Sequence, residues 1–254
     1  MKRIPLKFII AVIVFTESVF GWGKTGHRII GMVAENYLSE VAKIEIKKLL
    51  GHHDISRISN WADEIRSDPT WGHASDWHYC TIPDNEQYKK GKHAGKAVEK
   101  INEFSEILKN KNSGVEEKII ALKFMVHLIQ DLHQPLHVGN GKDRGGNSVK
   151  VKWFGEKTNL HSVWDTKLFE LQKLSYSEYA NYLLLDADHE TIIKWQKNTV
   201  FDYIEESKKY RVQCYDFKGE NLTWNYLYKN KNLLELRLLQ GGARLSGQLN
   251  QIFK

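Results

Sequence analysis

Cysteine is nearly absent from this chain of 254 residues: Cys80 and Cys214 are its two. That excludes a small cysteine-stapled scaffold and leaves room for one long-range bridge. Proline is almost as scarce, with four residues, so long helices can run uninterrupted. After residue 21 no apolar run approaches the length of a membrane span. There is no internal repeat, no low-complexity tract and no composition shift that would mark a domain boundary. Charge is not one-sided either. The formal net charge is +6, too diffuse by itself to establish nucleic-acid binding, although it is compatible with a polyanionic substrate.

What the chain does have begins with its first 21 residues. Lys2, Arg3 and Lys7 form a basic head, and an apolar run follows to Phe15. It is too short to span a bilayer and has the layout of a secretory signal peptide, with Val19 and Gly21 as the small residues of a cleavage site. We therefore expect residues 1–21 to be removed and the mature protein to be residues 22–254, secreted or periplasmic, with no membrane segment and no obligate protein partner. An exported chain is then expected to join Cys80 to Cys214. Asn221-Leu-Thr223 is a glycosylation sequon, meaningful only in a host with that pathway.

The mature part contains all eleven histidines and all eight tryptophans. Apolar residues at helical spacing predict two helices over 26–50, broken at Leu38-Ser39, a short one over 60–65, and others over 93–109 and 115–132. The last of these carries Ile119, Ile120, Leu122, Phe124, Met125, Val126, Leu128 and Ile129, the broad apolar face of a central helix. Further helices are predicted over 161–171, 175–185, 188–210 and 224–252, the last interrupted near Gly241 and Gly242. The segments 68–84 and 139–146 read as loops, and 149–154 as a strand or hairpin arm. The fold class is all-α, a single domain with a small β-hairpin.

Chemistry concentrates in His127-Leu-Ile-Gln-Asp131-Leu-His133-Gln-Pro135-Leu-His137. Residues 127 and 131 lie one helical turn apart, so imidazole and carboxylate converge on one point. His161 and Asp165 repeat the offset. Two such pairs, with His137 beyond the proline turn, predict a multimetal site, since imidazole nitrogen and carboxylate oxygen suit zinc. His133 is expected to support this site rather than to ligate. His52, His53, His73, His93 and His189 lack an equal pairing and are assigned to the surface or to supporting roles.

These residues resemble the secreted zinc-dependent single-strand-specific nuclease and 3′-nucleotidase family of fungi, plants and bacteria, which shares a helical fold with zinc-dependent phospholipase C. Trp22 and His27 in WGKTGH match a mature N-terminal tryptophan and a first-helix histidine. Asp63 in NWAD and His78 in DWHY match further ligands, and the C-terminal GGARLSGQLNQIF is similar to the ending of bacterial members. The resemblance implies three zinc ions: one on Asp63, His78, His127 and Asp131; one on Trp22, His27 and the shared Asp131; one on His137, His161 and Asp165. It implies hydrolysis of single-stranded DNA and RNA, and of 3′-nucleotides, to 5′-phosphorylated products. Arg66 matches a phosphate contact, Asn147 in DRGGN a substrate-orienting asparagine, and Tyr79 a base-stacking aromatic. Thr81 departs from the family's aspartate, which puts base preference in doubt. Lys142, Asp143 and Lys150 are placed on the rim. The alternatives are a zinc phospholipase C and a noncatalytic single-strand-binding protein.

Overall fold

The computed structural model describes residues 22–254. The expected leader, residues 1–21, lies outside the described residues. Helix α1, Lys24–Asn36, buries Ile29, Ile30, Val33 and Ala34 along one face together with Gly26 and His27. The break expected at Leu38-Ser39 is present, with Ser39 capping α2, Glu40–Leu50, by accepting from the Ala42 N–H. Asp54 caps α3, Ile55–Ile58, in the same way, and α4, Trp61–Glu64, follows. Short 3-10 helices at Ile65–Ser67 and Pro69–Ala74 lead to β1, Cys80–Thr81.

The 93–109 helix starts later than its sequence suggests, as α5, Ala97–Lys109, because residues 90–94 form turns and bends that lead into Gly95 at φ 85°. Central helix α6 spans Val115–Asp131 and is buried continuously from Phe124 to its end. The chain then turns through a 3-10 helix, Pro135–His137, into β2, Val138–Gly139, which pairs in parallel with β1. The predicted hairpin consists of β3, Lys150–Trp153, and β4, Glu156–Asn159. The 161–171 helix is three short pieces: α7, Leu160–Ser162; a π turn, Val163–Lys167; and α8, Leu168–Glu170. Helix α9 spans Tyr176–Leu185, with Ser175 and Glu178 forming a capping box.

Two expectations require correction here. The helix over 188–210 is two helices, α10, His189–Gln196, and α11, Val200–Cys214, because Thr199 and Asp202 form a second capping box that starts a new helix. After β5, Asn221–Leu222, helix α12 runs from Trp224 to Ile252 without interruption at Gly241 and Gly242. Those glycines admit α1 instead: a Cβ at Gly242 would lie 2.3 Å from Val33 Cγ1.

The core has two parts, one around α6 and one between α1, α12 and the 160–183 segment. The expected disulfide is overturned by this arrangement. Cys80 and Cys214 are both free and buried. Cys80 belongs to the first cluster and Cys214 to the second, where its Sγ turns to the Tyr210 carbonyl. Among the described residues no helix is long and apolar enough to cross a membrane. The result is a mainly helical single domain with small β elements, and α6 delivers its C-terminal turn to the junction of the two core parts.

Candidate metal centre

Asp131, the last residue of α6, is fully buried, and imidazoles surround it. One of its oxygens, Oδ2, lies 3.0 Å from His78 Nδ1 and 3.2 Å from His127 Nε2, and the other, Oδ1, 3.5 Å from His27 Nε2. Asp63 adds a carboxylate 3.7 Å from His127 Nε2. The rings of His27 and His127 stack with centroids 4.1 Å apart. Their nitrogens and oxygens group into three candidate metal-binding clusters: His27, Asp63 and His127; His78, His127 and Asp131; and His137, His161 and Asp165. The third is the set anticipated from the sequence. The first two share His127 and divide one continuous group of five side chains.

Backbone carbonyls and amides aim these rings. Nδ1–H of His127 donates to the Ser59 carbonyl at 2.7 Å, that of His137 to the His78 carbonyl at 2.7 Å, and that of His161 to the Gly145 carbonyl at 2.6 Å. His27 Nδ1–H donates to Gln130 Oε1 at 2.6 Å, and Gln130 in turn donates to Ser59 Oγ. An acceptor-only partner holds a proton on Nδ1 and turns Nε2 of each ring toward the cluster. Gln134 does the same for the third cluster by donating to Asp165 Oδ1 at 2.7 Å, and Asp165 Oδ2 lies 3.1 Å from His161 Nε2. Neither glutamine nor Ser59 was identified from sequence. Their signal was position alone, one residue before Asp131, one after His133 and one before Asn60.

Electrostatics follow from burial and crowding. Burial, then the nearby His127, lowers His27 to about 3, so its ring is neutral. Burial also opposes charge on His127, but Asp131 and Asp63 outweigh it and hold that ring up at about 9. Burial likewise pushes Asp131 upward, and His127 and His137 overcome it and keep the carboxyl well below its usual range. Asp165 is raised, chiefly by burial.

The remaining predicted residues are distributed around this centre. Trp22 is buried, with its indole N–H donating to the Gln130 carbonyl at 2.9 Å. Arg66 Nη1 lies 3.4 Å from Asp63 Oδ1. Tyr79 and Thr81 line a cavity of about 330 Å³ with His137, Gly139, Arg144, Gly145 and His161. Asn147 is not part of that lining: its side chain donates to the Arg144 carbonyl at 2.9 Å and ties down the turn. Arg144, which no sequence motif singles out, takes its place at the cavity. Its sequence neighbours drew attention to DRGGN, but nothing in the pattern says which side chain faces inward. His133 belongs to a different network, donating to the Ile129 carbonyl and accepting from Arg244, while Arg237 and Arg244 share Glu206.

Three His/Asp clusters in a helical domain, with His137 and His161 of the third lining a cavity, define the donor set of a multimetal protein. The S1/P1 nuclease family model matches residues 22–254, and the chain belongs to that family. Endonuclease 4 of Arabidopsis thaliana is 31% identical over 95% of this chain and 93% of its own length. Endonuclease 2 of the same plant is 31% identical over 93% and 92%. Nuclease P1 of Penicillium citrinum is 30% identical over 80% and 74%. The chain is a nuclease-type hydrolase of nucleic acids with candidate metal sites.

Proposed function

We propose that this chain is a zinc-dependent phosphodiesterase that cuts single-stranded DNA and RNA to 5′-phosphorylated products with 3′-hydroxyl ends and also hydrolyses 3′-nucleotides. The observation that carries this reading is the pair of orphaned atoms at Asp131: His27 Nε2 and Asp131 Oδ1 are buried and have no hydrogen-bond partner. A buried carboxylate oxygen facing a neutral imidazole lone pair is costly unless a cation joins them. The nitrogen-and-oxygen donor set fits zinc.

In this reading Asp63, His78, His127 and Asp131 hold one ion, Trp22, His27 and Asp131 a second, and His137, His161 and Asp165 a third. Trp22 contributes through a free amine and its carbonyl oxygen, which requires export and cleavage before it, in keeping with a secreted or periplasmic protein. When bound, such ions stabilise hydroxide near neutral pH and the charge on phosphoryl oxygens. The protein fixes the donors: Ser59, Gln130 and the carbonyls of His78 and Gly145 hold the rings of His27, His127, His137 and His161, and Gln134 holds the Asp165 carboxylate, so that little reorganises during turnover. Arg66 presents its guanidinium beside Asp63 to a phosphate oxygen. Tyr79 offers a ring face to a base, and Gly95, whose Cβ would meet that ring at 2.7 Å, lets the backbone press against it. Thr81 supplies a neutral hydroxyl to the same cavity. Asn147 acts on substrate through the turn it holds. A base enclosed in a duplex must be unstacked and unpaired to enter, so single strands are preferred. The resemblance of the C-terminal segment supports placing the chain near bacterial members.

The test is a zinc-loaded assay of the mature protein on denatured DNA, duplex DNA, RNA and a 3′-mononucleotide, with product ends resolved. Denatured substrates should be cut to 5′-phosphate and 3′-hydroxyl ends, with duplex DNA cut much more slowly. Release of phosphorylated headgroup from phosphatidylcholine vesicles, without cutting of any nucleic acid, would replace this reading with the phospholipase one.

A further inference from the structure

Arg144 shares the cavity with Tyr79, Thr81, His137 and His161, and its backbone sits in the left-handed region at φ 57°. A side chain other than glycine is strained there, and such strain persists only where the surroundings over-determine it. Here they do. Asp143 Oδ1 accepts from the Gly146 N–H at 2.9 Å, Asn147 holds the Arg144 carbonyl, and His161 holds the Gly145 carbonyl. Gly145 and Gly146 also have positive φ, 62° and 82°, and a Cβ on Gly145 would lie 2.4 Å from the Leu136 carbonyl oxygen. The loop is therefore locked against the segments that carry His137 and His161, and the Arg144 backbone is held at a fixed place beside the third cluster.

Its side chain is exposed, and among the described residues no ion pair or hydrogen bond engages the guanidinium. Aspartate and glutamate are missing from the cavity lining, so Arg144 is its one permanently charged side chain. The cavity thus presents a planar fork of N–H donors, with the Thr81 hydroxyl, beside an aromatic ring. A fork of this kind matches two adjacent acceptors in one plane. Guanine offers them as O6 and N7, and cytosine as N3 and O2 on its pairing edge, but the purine covers more of the Tyr79 ring; adenine places an amino donor beside its ring acceptor on each edge, and thymine and uracil flank each carbonyl with an N–H or a carbon.

We propose that Arg144 selects guanine for the base seated on Tyr79. This rests on the single-strand nuclease reading and adds to it the base that the site prefers. The paired donors of the fork, rather than charge alone, set the preference.

The test uses zinc-loaded protein and end-labelled oligothymidylates carrying one internal guanine, adenine or cytosine. The wild-type protein should cut next to guanine about tenfold more often than at thymine steps, in the range of one bidentate base contact. Arg144→Ala and Arg144→Lys should both flatten that ratio to within about twofold, since lysine keeps the charge and loses the fork. Arg144→Gly should flatten it without lowering Tm, because glycine accepts the left-handed backbone. Binding of 5′-guanylate and 5′-adenylate to the zinc-loaded protein, read by intrinsic fluorescence, tests the same preference without turnover. Tenfold tighter guanylate binding, lost in Arg144→Lys, supports the proposal. A wild-type protein without guanine preference, or a preference that survives in Arg144→Ala, overturns it. Equal loss of cutting at every step overturns it too, by assigning the guanidinium to backbone phosphate. Failure of the wild-type protein to cut any oligonucleotide, with guanylate preference intact, would defeat the nuclease reading and leave the assignment of Arg144 standing.

Discussion

His27 Nε2 and Asp131 Oδ1 face each other at 3.5 Å inside the protein, and neither has a hydrogen-bond partner. With His27 held neutral by burial, no proton bridges the two, and a cation between them would satisfy both. Metal binding is then part of the folded state's stability, because the ligands from His27 to Asp165 converge only when the chain is folded. Zinc held at about 100 times its Kd contributes about 2.7 kcal/mol, roughly 5–10 °C of Tm for a chain of this size. Chelation should lower Tm by that order and abolish cutting, and zinc should restore both. A fully active protein with at most one bound metal by elemental analysis is incompatible with three occupied clusters.

Asp131 offers one oxygen to each side of the group, so Asp131→Asn removes the charge with little change in volume. We expect the paired site around His27, His78 and His127 to lose metal and turnover to fall by about 100-fold or more, the scale on which positioning and electrostatic stabilisation fail together. The third cluster, His137, His161 and Asp165, should still bind. Elemental analysis of the variant followed by an assay on denatured DNA checks both statements. Three bound zincs with near-normal turnover would refute the shared-carboxylate arrangement.

The two cysteines lead to a separate expectation. Burial raises both thiols far above their ordinary range, so neither is reactive in the folded protein. Intact mass under non-reducing conditions should show two free thiols, which react with a thiol reagent slowly in buffer and fully in denaturant. Reductant should leave Tm unchanged.

Much of this centre was legible in the sequence, because a four-residue offset on a helix is geometry. His127 with Asp131 and His161 with Asp165 could be paired on paper, and the apolar run from Ile119 to Ile129 identified α6 as central. The supports were not legible. Three of the aiming groups are backbone carbonyls, of Ser59, His78 and Gly145, and every residue has a carbonyl. The β1–β2 pairing is two residues long, below what alternation can signal. The capping box at Thr199 and Asp202 was readable but lay inside a continuous amphipathic run. Gly241 and Gly242 look like a break in sequence although their role is close packing, and distinguishing the two requires knowing which helix lies opposite.

Glu35 supplies a pH dependence whose causes do not include the metal ligands. Burial, then the neighbouring Asp54, raises its carboxyl from 4.5 to about 7, although it accepts from the Ile55 and Ser56 N–H groups at the start of α3. The folded state therefore holds a proton that the unfolded state releases between about 4.5 and 7. This contribution to stability is full below that window and is lost as pH rises through it. Glu35→Gln keeps an acceptor for Ile55 and removes the titration. After discounting for partial exposure, the variant should gain about 1 kcal/mol at pH 8 relative to wild type, and the two melting curves should converge near pH 4.5. A wild-type stability that rises from pH 5 to 7, with the same slope in Glu35→Gln, would contradict this assignment.

Gly241 and Gly242 are adjacent on α12, yet they should respond differently to alanine. In an open helix either change would stabilise by about 1 kcal/mol, because alanine has the higher helix propensity. At Gly241 the new Cβ meets Ile30 Cγ2 at 3.2 Å and Cδ1 at 3.3 Å, contacts relieved by a shift of a few tenths of an ångström. At Gly242 it meets Val33 Cγ1 at 2.3 Å, Val33 Cβ at 2.5 Å and the Ala34 backbone nitrogen at 3.1 Å. Neither Val33 Cβ nor the backbone can move without displacing α1. Gly241→Ala should therefore stay within about 1 kcal/mol of wild type, while Gly242→Ala loses about 1–3 kcal/mol through overpacking. Because α1 also carries His27, Gly242→Ala should weaken metal retention under mild chelation as well as lower Tm. Denaturant unfolding of both variants with zinc present, and zinc loss during dialysis against a weak chelator, measure the two effects. A Gly242→Ala protein as stable as Gly241→Ala would mean that α1 and α12 are not in this close contact, and the alignment of His27 with Asp131 would then require another cause.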